Sequence, residues 1–145
     1  MRLPQSLPSS GAASRRWEAW RASQRRAVAY RARGRCECCW RQGALDWAHL
    51  LGRGRRANPA SEPWASSAAL TAGLCRECHN AYDRYTLAEE RRSALLWLAV
   101  ERLSAELGRM SMPQFTAPED ALAELLRDAE DGGKLPKDYV ARGDA

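Results

Sequence analysis

Lysine is nearly missing from this 145-residue sequence: of 23 basic residues only Lys134 and Lys137 are lysine, and the other 21 are arginine. Histidine is as scarce, with His49 and His79 alone. No apolar run exceeds the seven residues from Ala94 to Val100, far short of the roughly 20 that cross a bilayer. The opening Met-Arg-Leu-Pro-Gln-Ser lacks the apolar stretch of a secretory signal. Internal repeats are absent. Cysteine is missing outside two clusters, and the odd total of five excludes a fully paired disulfide framework. The expectation is a cytoplasmic protein with no membrane partner, and its length suits one compact domain.

The charge is unevenly spread. Residues 1–84 carry 15 arginines against six acids, whereas residues 85–145 carry eight basic residues against 12 acids. A basic half beside an acidic half predicts a polyanion-binding face on the first. Arginine grips phosphate through two parallel hydrogen bonds, so the arginine bias suits nucleic acid. A GC-rich coding sequence would produce the same bias.

The reading along the chain is α+β and mainly helical. Residues 1–13, rich in Pro, Ser and Gly, predict a disordered tail. A helix follows over 14–33, capped by Ser14, with Trp17, Trp20, Gln24, Ala27 and Arg31 on one face and a basic side that includes Arg15, Arg16, Arg21, Arg25, Arg26, Arg31 and Arg33. Residues 35–50 predict a knuckle and a short strand or hairpin turning near Gly43, and residues 51–66 a basic loop. A helix from about Cys75 into Arg84 closes the unit 14–86. In residues 87–131 the stripe Leu96, Val100, Leu103, Leu107 marks one helix ending at Gly108. Thr116-Ala-Pro-Glu119 reads as a capping box opening a second helix, with Leu122, Leu125 and Leu126 apolar. Residues 132–145 are expected to be loose.

The cysteines carry the most specific signal. Cys36-x2-Cys39 and Cys75-x2-Cys78 supply four soft thiolates, the donor set of a structural Zn²⁺ site. Cys38 could compete, but only the 36/39 choice gives the same spacing in both pairs. Buried or reactive thiols without metal are the plainer alternative.

His79 follows Cys78 directly, and Asp83 lies one helical turn on, on the same face. Such a pair offers a nitrogen and an oxygen to one divalent cation, leaving room for water and phosphate. His49 could face the same point. The plainer readings are a spare zinc ligand or capping group for His79, a half-buried histidine for His49 and a solvated carboxylate for Asp83. Asp46, three residues before His49, should point to the opposite face of a strand.

Cys36-Glu-Cys-Cys39, Ala48-His49-Leu50 and Leu74-Cys-Arg-Glu-Cys-His79 together resemble the HNH endonuclease superfamily over about residues 33–86. The stretch from Leu74 to Thr86 is similar to a phage and prophage subgroup with Ala-His and Cys-x2-Cys-His-x3-Asp. The resemblance implies a zinc-stapled ββα-metal, treble-clef-like core flanked by a basic N-terminal helix and two C-terminal helices. It further implies His49 as general base, and His79 and Asp83 as ligands of a catalytic Mg²⁺ or Mn²⁺. The implied activity is hydrolysis of DNA to 5′-phosphate and 3′-hydroxyl ends, in a bacterial or phage-infected cell. The sequence departs from the family at Ala48, where many members carry a ligand, and at Ala68, Ala69 and Leu70, near where a middle Asn usually sits.

Arg53, Arg55, Arg56, Arg76 and Arg84 are the candidate DNA contacts, mainly to the backbone, so salt-dependent binding with little sequence preference is expected. Two alternatives stay open. One is a catalytically inactive zinc-stabilised DNA-binding module. The other is a protein-interaction module using the C-terminal helices to hold a partner or a second copy.

Overall fold

The computed structural model describes residues 11–52, 61–109, 115–137 and 139, with backbone only at residues 12–14. Residues 1–10 of the expected tail over 1–13 and the candidate contacts Arg53, Arg55 and Arg56 therefore lie outside the described residues, and residues 11–13 of that tail are helical instead. Helix α1 spans Gly11–Ala32, strand β1 Asp46–His49, a single helical turn α2 Glu62–Ala65, and strand β2 Thr71–Leu74. Helices α3 (Arg76–Asp83), α4 (Glu89–Glu106) and α5 (Pro118–Asp131) follow. The architecture is mixed and mostly helical. None of the described helices is long and apolar enough to cross a membrane.

The expected hairpin around Gly43 is replaced by a longer connection. β1 pairs antiparallel with β2, placing Asp46 opposite Leu74 and His49 opposite Thr71. The local turn keeps only an isolated bridge, Arg35 to Gln42. β2 was not foreseen, because Thr-Ala-Gly-Leu shows no alternation; all four residues are buried, so both faces of the strand are covered.

Helix α1 begins at Gly11, three residues before Ser14, so Ser14 does not cap it. Its inner face is Trp17, Trp20, Val28 and Ala32, all buried, while Ala27, expected there, is exposed. Arg31 also leaves the basic side. It donates Nε and Nη2 to the two carboxylate oxygens of Glu37 at 2.8 and 2.9 Å, Nη1 to the Ala68 carbonyl at 2.8 Å and Nη2 to the Thr71 carbonyl at 2.9 Å. Glu37 also accepts from Arg102 of α4 at 3.1 Å and from the Gly73 amide at 2.8 Å. One carboxylate thus ties α1, β2 and α4 to the first cysteine knuckle. Gly73 lets the layers close: a Cβ there would meet Leu45 at 3.2 Å and the Ala32 Cβ at 3.3 Å.

On the other side of the sheet, α4 and α5 pack against each other. Leu96, Val100, Leu103 and Leu107 are all buried with Leu122, Leu125 and Leu126, so this stripe closes the chain's own core. The capping box does not form. Ala117 is the N-cap and Pro118 opens the helix, so Thr116 lies one residue outside the cap and Glu119 falls at the second helical position rather than the third.

The segment after α5, expected to be loose, folds back as far as Tyr139. The Lys134 carbonyl accepts the buried Trp64 indole N–H at 3.1 Å, and Ser61 Oγ donates to Glu130 at 2.6 Å. Tyr139 meets Trp17 and Trp20 edge-on at 5.7 and 5.1 Å. A buried indole N–H needs an acceptor, and this segment supplies it.

Burial alone would raise the Glu37 carboxyl, but the Arg31 bonds, the Gly73 amide and the charges of Arg31 and Arg102 outweigh it and hold the group below its ordinary value of 4.5. A folded value below the unfolded one contributes stability that is complete above pH 4.5 and lost as pH falls through the depressed value. Glu37→Gln is expected to cost about 3 kcal/mol, because two guanidiniums are left facing a neutral amide. Thermal melts at pH 7 and in mild acid check both: the variant melts lower at pH 7, and its deficit shrinks as acid protonates the wild-type carboxyl.

Candidate functional site

The two cysteine pairs meet. The sulfurs of Cys36, Cys39, Cys75 and Cys78 all lie within 4.8 Å of one another, and Cys39 Sγ is 3.9 Å from Cys75 Sγ. The backbone amides of Cys38 and Cys39 donate to Cys36 Sγ, and that of Cys78 to Cys75 Sγ, each at 3.4 Å. Each knuckle therefore presents amide hydrogens to its first sulfur, which favours the thiolate. Burial raises Cys36, yet these amide bonds prevail and bring it down to about 7. Burial and the neighbouring thiols push Cys78 up. Four sulfurs within this distance fit a structural Zn²⁺. Cys38 stands outside the four.

Cys75 also caps α3, so the second knuckle and the helix start are one structure. The helix then carries His79 and Asp83 one turn apart, with His79 Nε2 3.3 Å from Asp83 Oδ2. That separation suits neighbouring ligands of one octahedral cation at about 2.1 Å from each donor.

His79 Nδ1 lies 2.9 Å from Asp46 Oδ2. Asp46 is itself gripped by Arg76, whose Nε lies 3.1 Å from Oδ2 and whose Nη2 donates to Oδ1 at 3.2 Å. A ring that gives its Nδ1–H to Asp46 would have Nε2 free to ligate a cation shared with Asp83. This is the outer-shell arrangement that orients metal-binding histidines. Alternation along β1 puts Asp46 in a different cleft from His49; it reaches His79 from behind. Arg76, expected on DNA, is thus paired with Asp46, whereas Arg84 is exposed at the end of α3.

His49, at the end of β1, lines a cleft of about 490 Å³ together with His79, Asp83, Tyr82, Tyr85 and Arg92. Its Nε2 lies 3.3 Å from the buried Ser66 hydroxyl, and its ring sits 4.7 Å from that of Trp47. Arg92 brings the cleft a cation that the motif reading missed. Its guanidinium lies over the rings of Tyr82 and Tyr85 at 4.2 and 4.5 Å and donates to the Tyr82 carbonyl at 3.2 Å. Tyr82 donates its hydroxyl to the Leu50 carbonyl at 2.6 Å, and burial pushes its pKa up to about 12, keeping it protonated. Arg92 belongs to α4, outside any local motif, so nothing in the spacing around the cysteines could have pointed to it.

No protein-family model, curated protein or solved structure matches the chain.

The cysteine cluster makes a direct expectation. The purified protein should hold one zinc per chain by elemental analysis, and Cys75→Ser or chelation should unfold the two knuckles and α3 as followed by circular dichroism. Zinc in small structural sites contributes about 10–16 kcal/mol at pH 7.

Proposed function

We propose that the chain is a metal-dependent DNA endonuclease of the HNH type, its ββα-metal core stapled by zinc on Cys36, Cys39, Cys75 and Cys78. The observation that carries this reading is the convergence of His49, His79, Asp83 and Arg92 on one cleft. The strand pair β1–β2 followed by α3 supports it as well.

In this reading His49 takes the proton from a water attacking a phosphodiester, as a neutral imidazole does near pH 7. Arg92, held between Tyr82 and Tyr85, positions a phosphate oxygen through charge-assisted hydrogen bonds. His79 and Asp83 would hold Mg²⁺ or Mn²⁺, which supplies charge stabilisation at the phosphate and the leaving 3′ oxygen. Asp46 keeps His79 in the tautomer that can ligate. The products carry 5′-phosphate and 3′-hydroxyl ends.

A second reading, an inactive zinc-stabilised DNA-binding module, is favoured by one observation. Ala48, which precedes His49, is fully buried and offers no third ligand beside His79 and Asp83.

Nicking of supercoiled plasmid with and without added Mg²⁺ or Mn²⁺ separates the two. Metal-dependent nicking is expected, with His49→Ala slowing it about 10²- to 10⁴-fold, the usual contribution of a positioned base. No nicking with any metal, alongside intact salt-sensitive DNA binding, would establish the second reading. Asp46→Ala is expected to weaken Mn²⁺ binding about 10- to 100-fold, read by titration of the free-ion spin resonance signal. Asp46→Asn, whose amide oxygen still accepts from Nδ1–H, should lose less.

A further inference from the structure

A second cleft, of about 410 Å³, opens between α1 and β1, away from His49. Ala29, Leu45 and Trp47 give it apolar walls, and Arg25, Arg26 and Asp46 are its charged groups. Asp46 is already engaged by His79 and Arg76, so the cleft offers a ligand two guanidiniums. Its volume falls in the range of small-molecule sites. An apolar slot with cations at its edge suits a flat ring that carries an anion.

Two large aromatic side chains close to the lining residues in the chain are exposed: Tyr30 follows Ala29, and Trp40 precedes Gly43 in the same turn. Tyr30, next to Ala29 on α1, is 78% exposed, with the Arg33 guanidinium 5.9 Å over its ring. Trp40, at the tip of the first knuckle, is 65% exposed and adopts φ = +66°, a backbone conformation costly for a bulky side chain. Arg35 Nη1 donates to its carbonyl at 3.4 Å, and Arg35 and Arg41 are exposed around it. Arginines alone suffice to bind duplex phosphates. Exposed rings gain only where bases have free faces, as in single strands, where stacking on aromatic side chains adds to the charge.

We propose that the α1–β1 cleft, with the exposed rings of Tyr30 and Trp40, binds unpaired nucleotides, so that single-stranded DNA is its ligand. The inference rests on the nucleic-acid reading above and names its substrate class. Trp47 lines both the second cleft and the one that holds His49, so a strand seated in the slot runs past the Trp47 indole toward His49. The slot takes one base, Arg25 and Arg26 take its phosphates, and Tyr30 and Trp40 stack its neighbours.

The test is fluorescence anisotropy with a labelled oligothymidine and a duplex of equal length, without added Mg²⁺ or Mn²⁺ so that no cleavage intervenes. Because it reads binding alone, loss of nicking with intact single-strand binding would fail the nuclease reading and uphold this one. Tighter binding of the single strand is expected. Ala29→Leu, at an exposed helical position, should fill the slot and weaken single-strand binding about tenfold, the loss of one stacked base, while changing duplex binding less than about twofold. Tyr30→Ala, at a largely exposed side chain, should act in the same direction and serves if Ala29→Leu does not fold. Equal affinity for single strand and duplex, or single-strand affinity unchanged by both variants, would overturn the proposal and reassign the exposed rings to a protein contact.

Discussion

The Glu37 carboxylate is the point through which the architecture is connected. It lies between the cysteines of the first knuckle, is 7% exposed at its side chain, and accepts from Arg31, Arg102 and the Gly73 amide. Its own amide donates to the Gly73 carbonyl at 2.8 Å, so knuckle and strand β2 are joined in both directions. Burying a carboxylate is costly unless its lone pairs are met, and here two guanidiniums and an amide meet them. Burial and the like charge of Arg31 work against Arg102, which stays charged because guanidinium titrates far above neutrality. The position of the four sulfurs relative to the helical layers depends on this arrangement.

The candidate site inherits its precision from that frame. β1 is held by β2, β2 by Glu37, and α3 by the cysteine that caps it. His49 and His79 therefore reach one cleft from elements fixed at their ends rather than from loops, the condition under which catalytic groups keep their geometry. Asp46, Arg76 and Ser66 set the orientation of the two rings.

Much of this was legible in the sequence, for physical reasons that also mark where legibility stopped. The Leu96–Leu107 stripe repeats at helical spacing, and one face of a helix must be buried, so its packing followed from periodicity. Cysteine spacing foretold the gathering of four sulfurs, because a two-residue gap in a tight turn directs both thiols to one point. The shared helical face of His79 and Asp83 was read the same way. What failed was non-local. Arg31 read as part of the basic side of its helix and Glu37 drew no reading, since nothing local says that two guanidiniums and an amide converge on one carboxylate. β2 escaped because a strand buried on both faces carries no alternation. Arg92 reaches the cleft through tertiary packing, from a helix read only for its apolar stripe, and Asp46 bears on it from the neighbouring cleft through His79, a partner 33 positions away.

The contact of Tyr139 with Trp17 and Trp20 also has a meaning for how the chain comes into being. The ring that covers the indoles of α1 is synthesised about 120 residues after them. During synthesis the segment from Cys36 to Cys78 is complete while that aromatic face still meets water. Gathering of the sulfurs can thus precede closure of the outer shell. A ribosome-bound chain that has not yet reached Tyr139 would expose two adjacent indoles, a surface that aggregation exploits.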